Sequence, residues 1–129
     1  MSRPTSRKTA RRQTLFLLYQ WDLTGQELAS LFEGEPDDFA FALAGAVAAR
    51  ARALDTRITE ASPDWPADRL GTLERNILRV GVCELEEQTV PREVAINEAV
   101  VLAKRYATDE AAGLVNGILA RVAREQEAA

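Results

Sequence analysis

The chain has 129 residues, 47% hydrophobic and 28% charged, the proportions of an ordinary globular domain. Its formal net charge is −4, and it holds no histidine and one cysteine, Cys83. That composition excludes an internal disulfide and the multi-cysteine or histidine zinc sites, and leaves Cys83 as a small core or half-buried residue.

The charge is unevenly spread. Arg3, Arg7, Lys8, Arg11 and Arg12 precede any acid, the first of which is Asp22. The remaining 11 basic residues face all 20 acids, so a basic arm sits on an acidic body. Such asymmetry points to an anionic partner. The apolar residues Leu15, Phe16, Leu17, Leu18, Tyr19 and Trp21 follow directly. The pattern predicts one helix from about Thr5 to Leu23, basic and exposed at its start, apolar nearly all round and buried at its end. Lys8, Arg12, Leu15 and Tyr19 fall on one stripe. Cations grip phosphates and an aromatic ring stacks on an unpaired base, which suits single-stranded RNA. A basic tail entering an ordinary core helix, with Tyr19 packed, is the plainer reading.

Gly25 suits a helix C-cap, and Gln26 to Glu35 reads as a loop or a short irregular turn. A second helix begins at Pro36-Asp37-Asp38, with Phe39, Leu43, Val47, Leu54 and Ile58 as one apolar stripe. Small residues around Gly45 allow a neighbour to approach closely, and Arg50, Arg52 and Arg57 are placed on a solvated face. Pro63 and Pro66 mark a joint that halves the chain, with Trp65 expected to plug the seam. Thr72 is the expected N-cap of a third long helix ending near Gln88. Ile77, Leu78, Gly81, Val82 and Leu85 face inward, and Arg75 and Arg79 point elsewhere. Glu84, Glu86 and Glu87 at its end oppose the helix dipole.

Pro91 opens a helix from Arg92 to Tyr106, whose Ile96, Ala99, Val100 and Ala103 share a face. Asn97 within that run is expected to be buried and to bond a neighbouring loop or helix end. Thr108 caps the last helix, with a core stripe of Val115, Ile118, Leu119 and Val122. Close helix packing is the expected reason for Gly117 in mid-helix, and the tail from Arg124 is expected to fray. No segment shows clear two-residue alternation. The expectation is an all-α protein of two three-helix subdomains, about 1–61 and 64–129. The longest apolar run, 39–49, spans 11 residues and is too short to cross a bilayer. With no secretory signal, a reduced, cytoplasmic protein is expected. Neither a phosphate-binding glycine loop, a nucleophile elbow nor a histidine base is present, so a binding protein is expected rather than an enzyme.

From Glu74 the sequence Glu-Arg-Asn-Ile-Leu-Arg-Val-Gly leads to Glu84-Leu85. Then come Val90-Pro91-Arg92-Glu93-Val94-Ala95-Ile96-Asn97-Glu98-Ala99-Val100, Leu102-Ala103-Lys104-Arg105-Tyr106 and Val115-Asn116-Gly117-Ile118-Leu119. With Leu18-Tyr19-Gln20-Trp21-Asp22 after a basic start, this series resembles the NusB family of bacterial transcription antitermination factors. The resemblance implies a non-enzymatic protein without cofactors. It would pair with NusE, the small-subunit ribosomal protein, and bind boxA-type single-stranded RNA. In that family the complex helps RNA polymerase read through terminators in ribosomal RNA operons. By position, Arg7, Lys8 and Arg11 match the family's RNA-contacting arm, and Tyr19 and Glu84 match positions that approach RNA. Arg12 adds a charge where an acid is frequent. Thr9, Leu114 and Ala120 depart from the usual arginine, phenylalanine and aspartate. A homodimer that covers the arm, with RNA binding lost or masked, is the rival arrangement.

Overall fold

The structure, a computed structural model, describes residues 6–31 and 37–128. Arg3, Thr5, Glu35, Pro36 and Ala129, which figure in the expectations above, lie outside those residues. The described residues form six α-helices: α1 (Arg7–Thr24), α2 (Asp38–Ala49), α3 (Ala51–Ala61), α4 (Thr72–Glu87), α5 (Arg92–Tyr106) and α6 (Asp109–Ala128). Short 3₁₀ turns occupy Leu28–Leu31 and Ala67–Arg69. No strand occurs among the described residues, in line with the all-α expectation.

Local chemistry sets most boundaries. The Ser6 side chain accepts from the Thr9 N–H and starts α1, and Gly25, at φ +73°, ends it in the left-handed conformation that glycine adopts freely. Asp37 caps α2 through the Ala40 N–H, and Thr108 caps α6 through the Ala111 N–H. Thr72 is the first helical residue of α4 rather than its cap, which falls at Gly71.

Helix α4 is the axis of the molecule. Every residue from Asn76 to Leu85 is buried, because α1, α2, α3, α5 and α6 all pack on it. Its inward face includes Ile77, Leu78, Val82 and Leu85 as expected, and its core is continuous with Leu15 and Leu18 of α1 and Val115, Ile118, Leu119 and Val122 of α6. Gly81 allows the α4–α6 approach. A Cβ there would stand 2.7 Å from Leu119 Cδ1. No helix is long and apolar enough to cross a membrane among the described residues.

Several expectations are corrected. The predicted second helix is two: its stripe is interrupted at Arg50 (φ −111°, ψ 12°), which closes α2 and opens α3. Arg50, with its side chain 37% exposed, also pairs with Glu86 and Glu87 and offsets part of the negative charge at the end of α4. Arg57 likewise pairs with Glu125 at 2.7 Å. Trp65 does not plug the seam; it is 54% exposed. Asn97 is exposed, on the outer side of α5. A Cβ added at Gly117 would meet no atom within 4 Å, so close packing is not the reason for that glycine. The last helix holds to Ala128, with Glu125 tied to Arg57 and Arg121 and Glu127 to Arg92.

Candidate nucleic-acid interface

Helix α1 presents two faces with opposite fates. Ala10, Arg11, Thr14, Leu15, Leu17 and Leu18 are buried, a spacing that turns one side of the helix to the core. The expected stripe therefore shifts by one residue. Leu15 points inward, and Lys8, Arg12, Phe16 and Tyr19 share the outward side. The apolar end of α1 is not buried all round, since Phe16 is 43% and Tyr19 37% exposed.

On the inward side, Arg11 is only 3% exposed and Glu84 2%. Arg11 Nε donates to Glu84 Oε1 and Nη2 to Oε2, both at 2.9 Å. This is a bidentate fork, the strongest carboxylate–guanidinium geometry. The hydrogen bond to Glu84 raises the Arg11 pKa further, against the opposing effect of burial. Both side chains are thus matched to each other and turned away from solvent.

A second ionic site lies at the other end of the same stripe. Asp22 Oδ2 accepts from Arg75 Nη2 at 2.9 Å, Arg79 Nη1 at 3.0 Å and Asn76 Nδ2 at 3.1 Å. Arg79 also forks onto Asp55 of α3, at 2.7 and 2.6 Å. Burial pushes the Asp22 carboxyl up, but Arg75, Arg79 and Asn76 override it and hold its pKa below the ordinary carboxylate value. Arg75 and Arg79 thus do not point idly elsewhere; they fasten α4 to α1 and α3. The polarity of these contacts is informative. Basic Arg11 early in α1 meets acidic Glu84 late in α4, and acidic Asp22 late in α1 meets basic Arg75 and Arg79 early in α4. Parallel docking of the two helices would set like charges together, so the pairs select the antiparallel arrangement.

The remaining basic residues stay outside. Arg7 is exposed, with its guanidinium 3.9 Å from the centre of the Phe39 ring of α2. That is a cation–π contact which steadies the side chain without neutralising it. Lys8 is exposed and Arg12 half-buried. Neither forms an ion pair among the described residues. The structure therefore brings Lys8, Arg12 and Tyr19 onto one surface, places Arg7 at its edge, and sets Arg11 and Glu84 beneath it. The sequence reading missed Phe16, which lies among these groups. Its signal was helical phase: Phe16 is four residues from Arg12 and three from Tyr19.

A model of the NusB family matches residues 8–124. The transcription antitermination protein NusB of Rubrobacter xylanophilus is 40% identical over 121 aligned residues, covering 88% of this chain and 87% of that protein. The NusB protein of Anaeromyxobacter dehalogenans is 39% identical, with 92% of each chain covered. Among solved structures, a crystal structure of antitermination factors NusB and NusE in complex with dsRNA contains a similar chain. Its TM-score is 0.82 at 29% identity, over 92% of this chain and 96% of that one. T. maritima NusB superposes with a TM-score of 0.83 at 28% identity, over 95% of this chain and 94% of that one. Sequence and fold agree over nearly the whole length, and the chain belongs to the NusB family.

Proposed function

We propose that this protein is a cytoplasmic, RNA-binding transcription antitermination factor, a binding protein and not an enzyme. With NusE it binds boxA-type single-stranded RNA and promotes read-through of ribosomal RNA operons by RNA polymerase. The observation that carries the reading is the unpaired surface of Lys8, Arg12 and Tyr19 on α1, in a chain whose NusB relatives are antitermination proteins. Arg7, Lys8 and Arg12 supply the phosphate contacts and Tyr19 a stacking ring. Arg11 and Glu84 serve the same site from beneath, by fixing the helix that carries those groups. A direct contact from either would first require their buried fork to open. Organisation into subdomains of about 1–61 and 64–129 belongs to this reading, with α4 as the element on which both halves pack.

The test is a titration of boxA-type RNA with the protein, with and without NusE, against a scrambled RNA at two salt concentrations. An arm that neutralises about three phosphates gives a log–log salt slope near −2, so a fourfold rise in salt costs about 20-fold in affinity. Tighter binding to boxA in the presence of NusE is the expected result. A stable homodimer with no RNA affinity under any condition would replace the proposal with the self-associating alternative.

A further inference from the structure

The RNA-binding reading rests on α1, but the exposed surface does not end there. Phe16 meets Tyr106, the last residue of α5, with ring centroids 5.1 Å apart and planes at 76°. An edge-to-face pair of this kind leaves at least one ring with both faces clear of its partner. The Arg105 guanidinium lies 5.5 Å from the Tyr106 centroid. Lys104 and Arg105 are exposed, as Lys8 is on α1. None of Lys8, Arg12, Lys104 and Arg105 forms an ion pair among the described residues. The pair, Phe16 exposed and Tyr106 half-buried, thus joins α1, which carries Lys8 and Arg12, to the end of α5, which carries Lys104 and Arg105, on a protein whose net charge is −4. The nearest acids in sequence, Asp109 and Glu110, begin α6 and bound the surface on that side.

We infer that Phe16 and Tyr106 form a stacking platform for an unpaired base, and that the RNA path continues from α1 across to the C-terminal end of α5. This deepens the proposed function and rests on it. The occupant is single-stranded RNA because the surface offers what a flexible polyanion needs, phosphate-neutralising cations on the two helices that carry the flat apolar rings. A phosphate path confined to α1 would not engage Lys104 or Arg105.

The experiment is fluorescence anisotropy of labelled boxA-type RNA in the presence of NusE. Phe16→Ser and Tyr106→Leu are each compared with wild type, and Phe16→Trp serves as the conservative control. Each ring-removing change is expected to weaken binding roughly tenfold, within the range of one base–aromatic stack, and Phe16→Trp to retain it. An abasic nucleotide moved along the RNA adds a readout that does not depend on the variants' stability. At one position it should weaken binding to wild type but leave binding to Phe16→Ser unchanged. If wild type binds with the expected salt dependence and no abasic position is coupled to Phe16, the platform is refuted and the RNA-binding reading stands. If wild type does not bind RNA at all, the underlying reading fails and the platform fails with it. If Phe16→Ser leaves RNA affinity intact and converts a dimer to a monomer, the rings belong to a protein interface and the inference is wrong.

Discussion

Arg11 and Arg12 are neighbours in sequence and alike in chemistry, yet the fold gives them opposite work. Arg11 faces α4 and is consumed by a buried fork with Glu84; Arg12 faces outward and pairs with nothing among the described residues. One face of α1 is a clamp with an ionic site at each end, Arg11 on Glu84 and Asp22 on Arg75 and Arg79. The other face is a ladder of cations and rings. The lesson is that the charge count of an arm overstates what a ligand can use. A helix rotates consecutive residues by about a quarter turn, and a charge turned inward must be paired where it lies.

The contrast is broken or sharpened most directly at Arg11. Arg11→Ala strands the Glu84 carboxylate and should cost about 3–5 kcal/mol of stability in urea unfolding, as expected for one partner removed from a buried pair. Replacing both residues by methionine should recover most of the loss. A singly substituted protein as stable as wild type would mean that the inner face is no clamp. On the outer face, Lys8→Ala with Arg12→Ala should leave the thermal midpoint unchanged. It should flatten the salt slope of RNA binding by about 1.4, two contacts at roughly 0.7 each. A shift in the midpoint without a change in slope would erase the distinction between the faces.

Acid offers a subtler test of the clamp's second end. The Asp22 carboxyl is held below its unfolded value near 3.9, so its contribution is present above that pH and disappears as pH falls through the folded pKa. The stability difference between wild type and Asp22→Asn should therefore be full at neutral pH and close below about pH 4. A difference that stays constant with pH would assign Asp22 a packing role alone. The smallest effect is expected at Cys83, buried on α4, whose pKa is pushed up to about 12 chiefly by burial. Native protein should resist thiol alkylation at neutral pH and react only as fast as it unfolds.

The parts of this fold that sequence made legible are those with local punctuation. Pro91 and Thr108 delimit α5 and α6, and the stripe of Val115, Ile118, Leu119 and Val122 has a single phase that the core preserves. The break at Arg50 was hidden because no glycine or proline marks it and the apolar stripe resumes in phase beyond. The run from Leu15 to Tyr19 is too uniformly apolar to reveal by itself which residues face out, and Phe16 does not stand apart within it. Residue type alone misleads at Trp65 and Asn97: the ring sits on an exposed turn, and the amide lies off the buried face. The fork of Arg11 with Glu84 has no local signal whatever. Its partners are 73 residues apart, and only the phase of Arg11 with Leu15 and Leu18 hints that it turns inward.

That separation matters to a chain made from its N-terminus. At translation rates of about 5–20 residues per second, Arg11 precedes Glu84 by roughly 4–15 s, long compared with helix formation. During that interval α1 can coil but has no α4 to dock on, and its inner guanidinium is as exposed as its outer ones. The nascent arm thus passes through a stage in which all its cations are free, a more adhesive polycation than the finished protein, and synthesis of α4 is the event that withdraws one of them.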